Sequence, residues 1–279
     1  MKKVVSFSGG RTSAYLCYLM KEVYGDEVDF VFMDTGAEHP KTYEFVRKCN
    51  DYFNLNLTCL RTDFNTPLGA GNKYKVVSIN EIQPDLKPFS EMLKKYGTPY
   101  IGGMFCTDRM KLVPFTKYCN EKYGRGNYET WLGIRADESR RLSKKKGIRY
   151  LAEISNFDKE DVLDWWSNMP FNLNLGEWNG NCVFCPKKSN LKLAAAQRDN
   201  PRMYHEFLSM LYGDAVRHDD KTGHWSQMYR GKKSLEQVVA MFDGSTGEEI
   251  KSRIRGGKMQ ESGSCSESCE VFNCQVDVP

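Results

Sequence analysis

Residues 4–15 read "VVSFSGGRTSAY": an apolar run, a Ser-Gly-Gly turn, and the start of a second apolar pattern. Val4, Val5 and Phe7 suit a buried strand, while Ala14, Leu16, Leu19 and Met20 recur at helical spacing over 12–24. A strand that turns straight into a helix through two glycines has a physical use. Gly9 and Gly10 can take positive φ and admit a ligand to the backbone. The amides of the turn and of the first helical turn then converge where the helix dipole favours an anion. Ser8, Thr12 and Ser13 add hydroxyl donors and Arg11 a cation. Two readings follow, a phosphate cradle or an ordinary strand–helix turn with Thr12 as N-cap. The Gly-Lys-Ser/Thr ending of a Walker A loop is absent.

Further along, strand signals fall at 3–7, 28–34, 56–62, 128–134 and 148–154, with helical patterns at 12–24 and 40–53. Strand–helix alternation predicts an α/β fold, a parallel twisted sheet with helices on both faces. Ligands of such sheets sit at the carboxyl ends of the strands. The Ser-Gly-Gly turn, "MDTG" (33–36) and "GIRADES" (133–139) all fall there. Residues 63–105, rich in Gly, Pro and Lys, read as an inserted excursion, and a helix is expected over about 107–122. Beyond Cys185, short helices are expected at 189–197, 201–212 and 234–242. The expected organisation is a nucleotide-binding α/β domain over 1–187, a helical region over 188–255 and a Cys-rich tail over 256–279.

The chain has 279 residues, 40% hydrophobic and 27% charged, the composition of a soluble globular protein. No stretch is long and apolar enough to suggest a membrane span, and the first strand begins at once, so a cytoplasmic location without a signal peptide is expected. The net charge of +4 permits a polyanionic partner without requiring one. Basic residues cluster in "RRLSKKKGIRY" (140–150) and "KSRIRGGK" (251–258), as a solvated face or as contacts to a nucleic-acid acceptor. Ten cysteines in a cytoplasmic chain point to metal ligands, redox thiols or core residues rather than disulfides. Cys17, Cys49 and Cys59 lie in apolar segments and are expected to pack. Cys106, the pair Cys182 and Cys185, and the tail residues Cys265, Cys269 and Cys274 lie in polar or Gly-rich surroundings.

Two further motifs carry chemistry. In "FMDTGAEHP" (32–40), Asp34 ends a hydrophobic strand, where a carboxylate suits Mg²⁺ or a ribose hydroxyl, or else caps the next helix. Thr35 and Gly36 let the chain turn over a nucleotide. In "WLGIRADESRRL" (131–142), Gly133 is followed by Arg135, Arg140 and Arg141, whose guanidinium groups suit a phosphate or sulfate, or form a solvated charged loop.

Taken in order, "SFSGGRTSA", "FMDTGAEHPKTYEF", "CTDRMKLVPF", "WLGIRADESRR" and "EISNFDKEDVLDWW…PFN…NCVFCP" resemble the phosphoadenosine phosphosulfate (PAPS) reductase family of the PP-loop ATP pyrophosphatase superfamily. The resemblance covers about residues 1–190 and implies an adenine nucleotide α-hydrolase-like fold binding ATP or a sulfonucleotide (PAPS or APS). It implies a PP-loop at Ser8, Gly9, Gly10, Thr12 and Ser13, an Asp-Thr-Gly motif at Asp34, Thr35 and Gly36, and a distal-anion segment at Gly133, Arg135 and a following arginine. Lys111 matches the lysine after the family's first cysteine motif, which makes Ser8, Lys111 and Arg135 the candidate catalytic residues.

Three departures shape the reading. Thr12 stands where superfamily pyrophosphatases carry an acid, and the tail "ESGSCSESCEVFNC" lacks the Glu-Cys-Gly-x-His motif of sulfonucleotide reductases. Cluster-bearing relatives use a Cys-Cys pair plus a Cys-x-x-Cys, and here the pair is the single Cys106. Cys106, Cys182 and Cys185 are therefore candidate ligands of a [4Fe–4S] cluster, with zinc or plain structural thiols as alternatives. The missing tail motif favours iron–sulfur-dependent, ATP-driven thiolation of an acceptor over direct sulfonucleotide reduction. A non-catalytic nucleotide-sensing module is the third reading.

Overall fold

The computed structural model describes residues 1–100, 103–217, 229–230 and 232–256. Six strands form one sheet in the order β4-β3-β2-β1-β5-β6. They are β1 (Lys2–Phe7), β2 (Val28–Met33), β3 (Thr58–Asp63), β4 (Lys73–Val77), β5 (Tyr128–Leu132) and β6 (Ile148–Tyr150). The strands pair in parallel except β4, which lies antiparallel on β3. The expected α/β sheet is present, with one antiparallel neighbour at this edge. Residues 63–105 are not a mere excursion, because "KYKVV" extends the sheet and α3 (Lys87–Tyr96) joins the apolar cluster of Met110, Phe184 and Phe207.

Alternation along the central strands sorts the core into two layers. Val5, Phe7, Phe30 and Phe32 face α1 (Arg11–Tyr24), α2 (Pro40–Phe53) and α6 (Lys159–Ser167). Val4, Val31 and Met33 face the opposite side, against Phe115, Tyr118 and Cys119 of α5 (Val113–Tyr123). Strands covered on both faces read as near-continuous apolar runs, which is why β1 and β2 stand out in the sequence. Cys17, Cys49 and Cys59 are fully buried here, as expected of packing thiols. Helix α2 keeps its expected bounds because Pro40 starts it and Asn54 takes the left-handed conformation at its end. The expected helix at 107–122 is instead composite. A helical turn α4 (Phe105–Thr107) leads through a π-helical turn, Asp108–Leu112, into α5.

The C-terminal part is helical, with α7 (Asn190–Asp199), α8 (Pro201–Leu211), α9 (Leu235–Ala240) and α10 (Gly247–Gly256). Phe184, Leu193, Phe207 and Val238 share an apolar cluster with Ala37, Phe89 and Met110. Among the described residues no helix is long and apolar enough to cross a membrane. Cys265, Cys269 and Cys274 lie outside the described residues.

One ion cluster ties α5 to β1 and β2. Asp29 receives Lys122 Nζ at 2.9 Å and Tyr123 Oη at 2.5 Å, and Lys2 Nζ lies at 2.7 Å. Burial works to raise the Asp29 carboxyl, but the bonds from Lys2, Tyr123 and Lys122 prevail and hold it at about 2. A depressed folded-state value stabilises the protein above the unfolded value near 4 and is lost as pH falls through about 2. Asp29→Asn is expected to cost about 1 kcal/mol at pH 7, after allowance for solvent screening. The difference from wild type should shrink between about pH 4 and pH 2 and vanish only below about pH 2 in urea titrations; a constant difference across that range would mean that charge plays no part.

Candidate nucleotide and thiol site

Because β2 lies on one side of β1 and β5 on the other, the chain reverses direction across the sheet between β1 and β5. A crevice at the carboxyl ends of such neighbouring strands is the usual binding place in open α/β sheets. Two expected segments meet there. The Ser8–Ser13 turn follows β1, and Gly133–Arg135 follows β5. A β-carbon on Gly133 would lie 2.7 Å from Ser13 Cα and 2.9 Å from Ser13 N. The glycine therefore lets the start of α1 approach the end of β5.

Inside the turn, Gly9 has φ +82°, and a side chain there would strike Thr42 of α2. Gly10, not Thr12, is the N-cap of α1, in extended conformation without a side-chain cap. Ser8 and Ser13 hydroxyls lie 2.8 Å apart, and Ser13 Oγ donates to the Gly10 carbonyl at 3.0 Å. Thr12 Oγ1 accepts from Arg135 Nη1 at 3.1 Å. Arg135 is buried and also forks onto Asp137, with Nε and Nη2 donating at 2.8 and 2.9 Å. Its guanidinium thus reaches the cradle itself. Arg141 pairs with Glu138, and Arg140 is exposed.

Arg11 departs from its expected role. Its Nε donates to Asn172 Oδ1 at 2.7 Å and its Nη2 to the Leu173 carbonyl, so the cation fastens α1 to the segment after α6. Two of its donors are thereby engaged in packing.

After β2, Asp34 is buried and committed within the chain. Oδ1 accepts from the Gly36 amide at 2.9 Å and from Tyr43 Oη at 3.0 Å, and Oδ2 from Arg61 Nε at 2.6 Å. Burial raises its carboxyl, Glu38 raises it further, and Arg61 pulls it back to about 6. A carboxylate already matched by a guanidinium is poorly placed for Mg²⁺, and α2 is capped by His39 instead. Gly36, at φ +72°, accepts the Leu86 amide through its carbonyl at 3.0 Å, and a β-carbon there would meet Pro88. Its turn thus serves packing on the start of α3.

Glu38 and Tyr43 were not anticipated from their motif. Glu38 is buried, accepts from Thr35 Oγ1 at 2.7 Å and Tyr43 Oη at 2.9 Å, and faces Lys111 Nζ at 3.6 Å. It also pairs with Cys182 in a β-bridge, and the Val183 amide donates to the Ala37 carbonyl at 3.0 Å. The Asp-Thr-Gly loop and the Cys-x-x-Cys loop are stitched together. Burial and the Glu38 carboxylate push the Cys182 thiol up, while Lys111 opposes them.

Cys106, Cys182 and Cys185 line one cavity together with Thr35, Lys111 and Lys188. The π-helical turn gives Cys106, Met110 and Lys111 a common wall, a distortion that recurs at functional sites. Among the described residues, no group of three or more His, Cys, Asp or Glu is arranged to hold a single metal ion. The donors are thiols set around a space, a donor type shared by zinc and iron–sulfur sites. Tyr229, deeply buried, shares the apolar cluster against which Cys106 and Cys182 pack.

Residues 2–169 match the phosphoadenosine phosphosulfate reductase domain. The chain belongs to the phosphoadenosine phosphosulfate reductase family. Among relatives of this PAPS reductase-family protein, the "Uncharacterized nin region protein ORF290" of Escherichia phage lambda is 51% identical over 282 residues, covering 99% of this chain and 97% of the phage protein. "Uncharacterized protein MJ0973" of Methanocaldococcus jannaschii is 27% identical over 84% of this chain and 54% of its own length. A crystal structure of a PAPS reductase from Candida auris, a phosphate complex, aligns with TM-score 0.42 and 20% identity, over 65% of this chain and 83% of that one.

Proposed function

We propose that this PAPS reductase-family protein binds an adenine nucleotide at the β1–β5 crevice and transfers sulfur to an acceptor activated by ATP. Ser8, Gly9, Gly10, Thr12 and Ser13 offer amides and hydroxyls to the phosphates. Arg135, bonded to Thr12 and forked onto Asp137, would present guanidinium donors beside them. Cys106, Cys182 and Cys185 would hold an iron–sulfur group, which when bound supplies the sulfur to be transferred. Lys111 would offset the negative charge of the thiolates and of Glu38. The exposed basic residues 144–146 leave a nucleic acid among the acceptors this reading admits.

The observation that carries the proposal is the convergence of cysteines from two distant segments on one cavity, beside a loop that follows β2. Sulfonucleotide reduction, the alternative within the family, calls for a nucleophilic tail cysteine, and the tail lacks the corresponding motif. The test is anaerobic purification with iron and sulfide analysis and an ATP titration. Wild type should carry iron with acid-labile sulfide and bind ATP. Cys106→Ser, Cys182→Ser and Cys185→Ser should each lose most of the iron while still binding ATP, whereas Cys17→Ser should keep both. Protein that holds zinc or no metal would remove the sulfur source and with it the thiolation reading.

A further inference from the structure

Tyr229 is buried to 1% exposure, and among the described residues its hydroxyl has no hydrogen-bond partner. Such a group is costly relative to one that is paired. Phenylalanine would fill the same space without that cost. Tyr43, equally buried, shows the usual arrangement, with its hydroxyl between two carboxylates.

The surroundings of Tyr229 are built rather than incidental. Its amide donates to the Lys233 carbonyl at 2.9 Å, closing a turn. The next residue, Arg230, donates through Nη1 to the carbonyls of Pro186 at 2.8 Å and Lys188 at 2.7 Å. Those carbonyls belong to the loop that carries Cys182 and Cys185, so the ring is clamped against it. Cys106 and Cys182 pack against the apolar cluster that holds the ring, and the thiols of Cys185, Cys106 and Cys182 act on the hydroxyl electrostatically. A tyrosine hydroxyl keeps its proton at neutral pH and is a donor.

We propose that Tyr229 is a positioning residue for the group held by Cys106, Cys182 and Cys185, its hydroxyl donating a hydrogen bond to a sulfur of that group. The inference rests on the iron–sulfur reading above. Hydrogen bonds to sulfur help set the reduction potential of such centres, and outer-shell donors commonly change metal affinity by about 10–100-fold. A group held by the three thiols would give the hydroxyl the partner it lacks among the described residues.

Tyr229→Phe removes only the oxygen, which makes the test specific. Wild type and variant are prepared anaerobically without metal, melted, then loaded with ferrous iron and sulfide. Without metal, the variant should melt at the same temperature as wild type or higher. Once loaded, it should surrender iron to a chelator about 10–100-fold more readily, and its reduction potential should shift to a more negative value. A lower melting temperature of the metal-free variant would show that the hydroxyl is already partnered, and the inference fails. Equal iron retention with an equal potential would also overturn it while leaving the iron–sulfur reading intact. Failure of wild type itself to take up iron would bring down both.

Discussion

Gly133→Ala is expected to cost about 3 kcal/mol of stability, the upper end for forcing extra volume into a packed site. The added carbon would meet Ser13 Cα at 2.7 Å and Ser13 N at 2.9 Å. These are backbone atoms in the first turn of α1, and they cannot rotate aside as the end of a flexible side chain can. Relief requires moving the helix off β5, which also opens the Thr12–Arg135 bond. The loss should appear as a lower urea midpoint at an unchanged m-value, with ATP affinity reduced in the molecules that remain folded. An unaltered midpoint would mean that α1 does not lie this close to β5.

Trp166→Ala should be the most damaging single truncation, at about 3–5 kcal/mol. The indole is fully buried, with ring centroids 4.8 Å from Phe45 and 5.7 Å from Phe171. Its Nε1 also donates to the Arg11 carbonyl at 3.0 Å, while Asn172 donates to the Trp166 carbonyl and accepts from Arg11. Packing and the first turn of α1 are thus secured by one residue. Trp166→Phe separates the two contributions. It keeps much of the apolar volume and should recover all but about 1–2 kcal/mol, from the lost hydrogen bond and the small void. Recovery of nothing would show that the hydrogen bond, not the packing, dominates.

These two sites also mark where the sequence could be read and where it could not. Strand β1, the glycine turn and α1 were legible because a doubly covered strand and a helix each impose their own apolar period on neighbouring residues. Helix α2 was legible to the residue, since Pro40 and Asn54 mark its ends chemically. Edge strand β4 was not. "KYKVV" has one face toward solvent and polar residues that resemble a loop. The π-helical turn left too little trace in the apolar spacing to separate it from an α-helix. Arg11 stood beside two glycines in sequence and invited an anion, yet its partners, Asn172 and Leu173, lie far along the chain. Glu38 and Tyr43 looked like ordinary members of a turn and a helix, because only the folded chain brings them to Asp34, Lys111 and Cys182. Tyr229 had no motif around it at all.

The bridge between Glu38 and Cys182 makes the loop after β2 and the thiol-bearing loop a single mechanical unit. A nucleotide in the proposed β1–β5 crevice and an occupant of the thiol cavity beside this unit would obey a reciprocity that needs no further assumption. Whatever factor a filled thiol cavity imposes on the dissociation constant of ATP, bound ATP must impose on the dissociation constant of the cavity's occupant. A fourfold tightening on one side would be a fourfold tightening on the other, about 0.8 kcal/mol of shared free energy. The nucleotide would then act as a gauge of whether the chain is charged with sulfur, and sulfur loading as a gate on nucleotide residence.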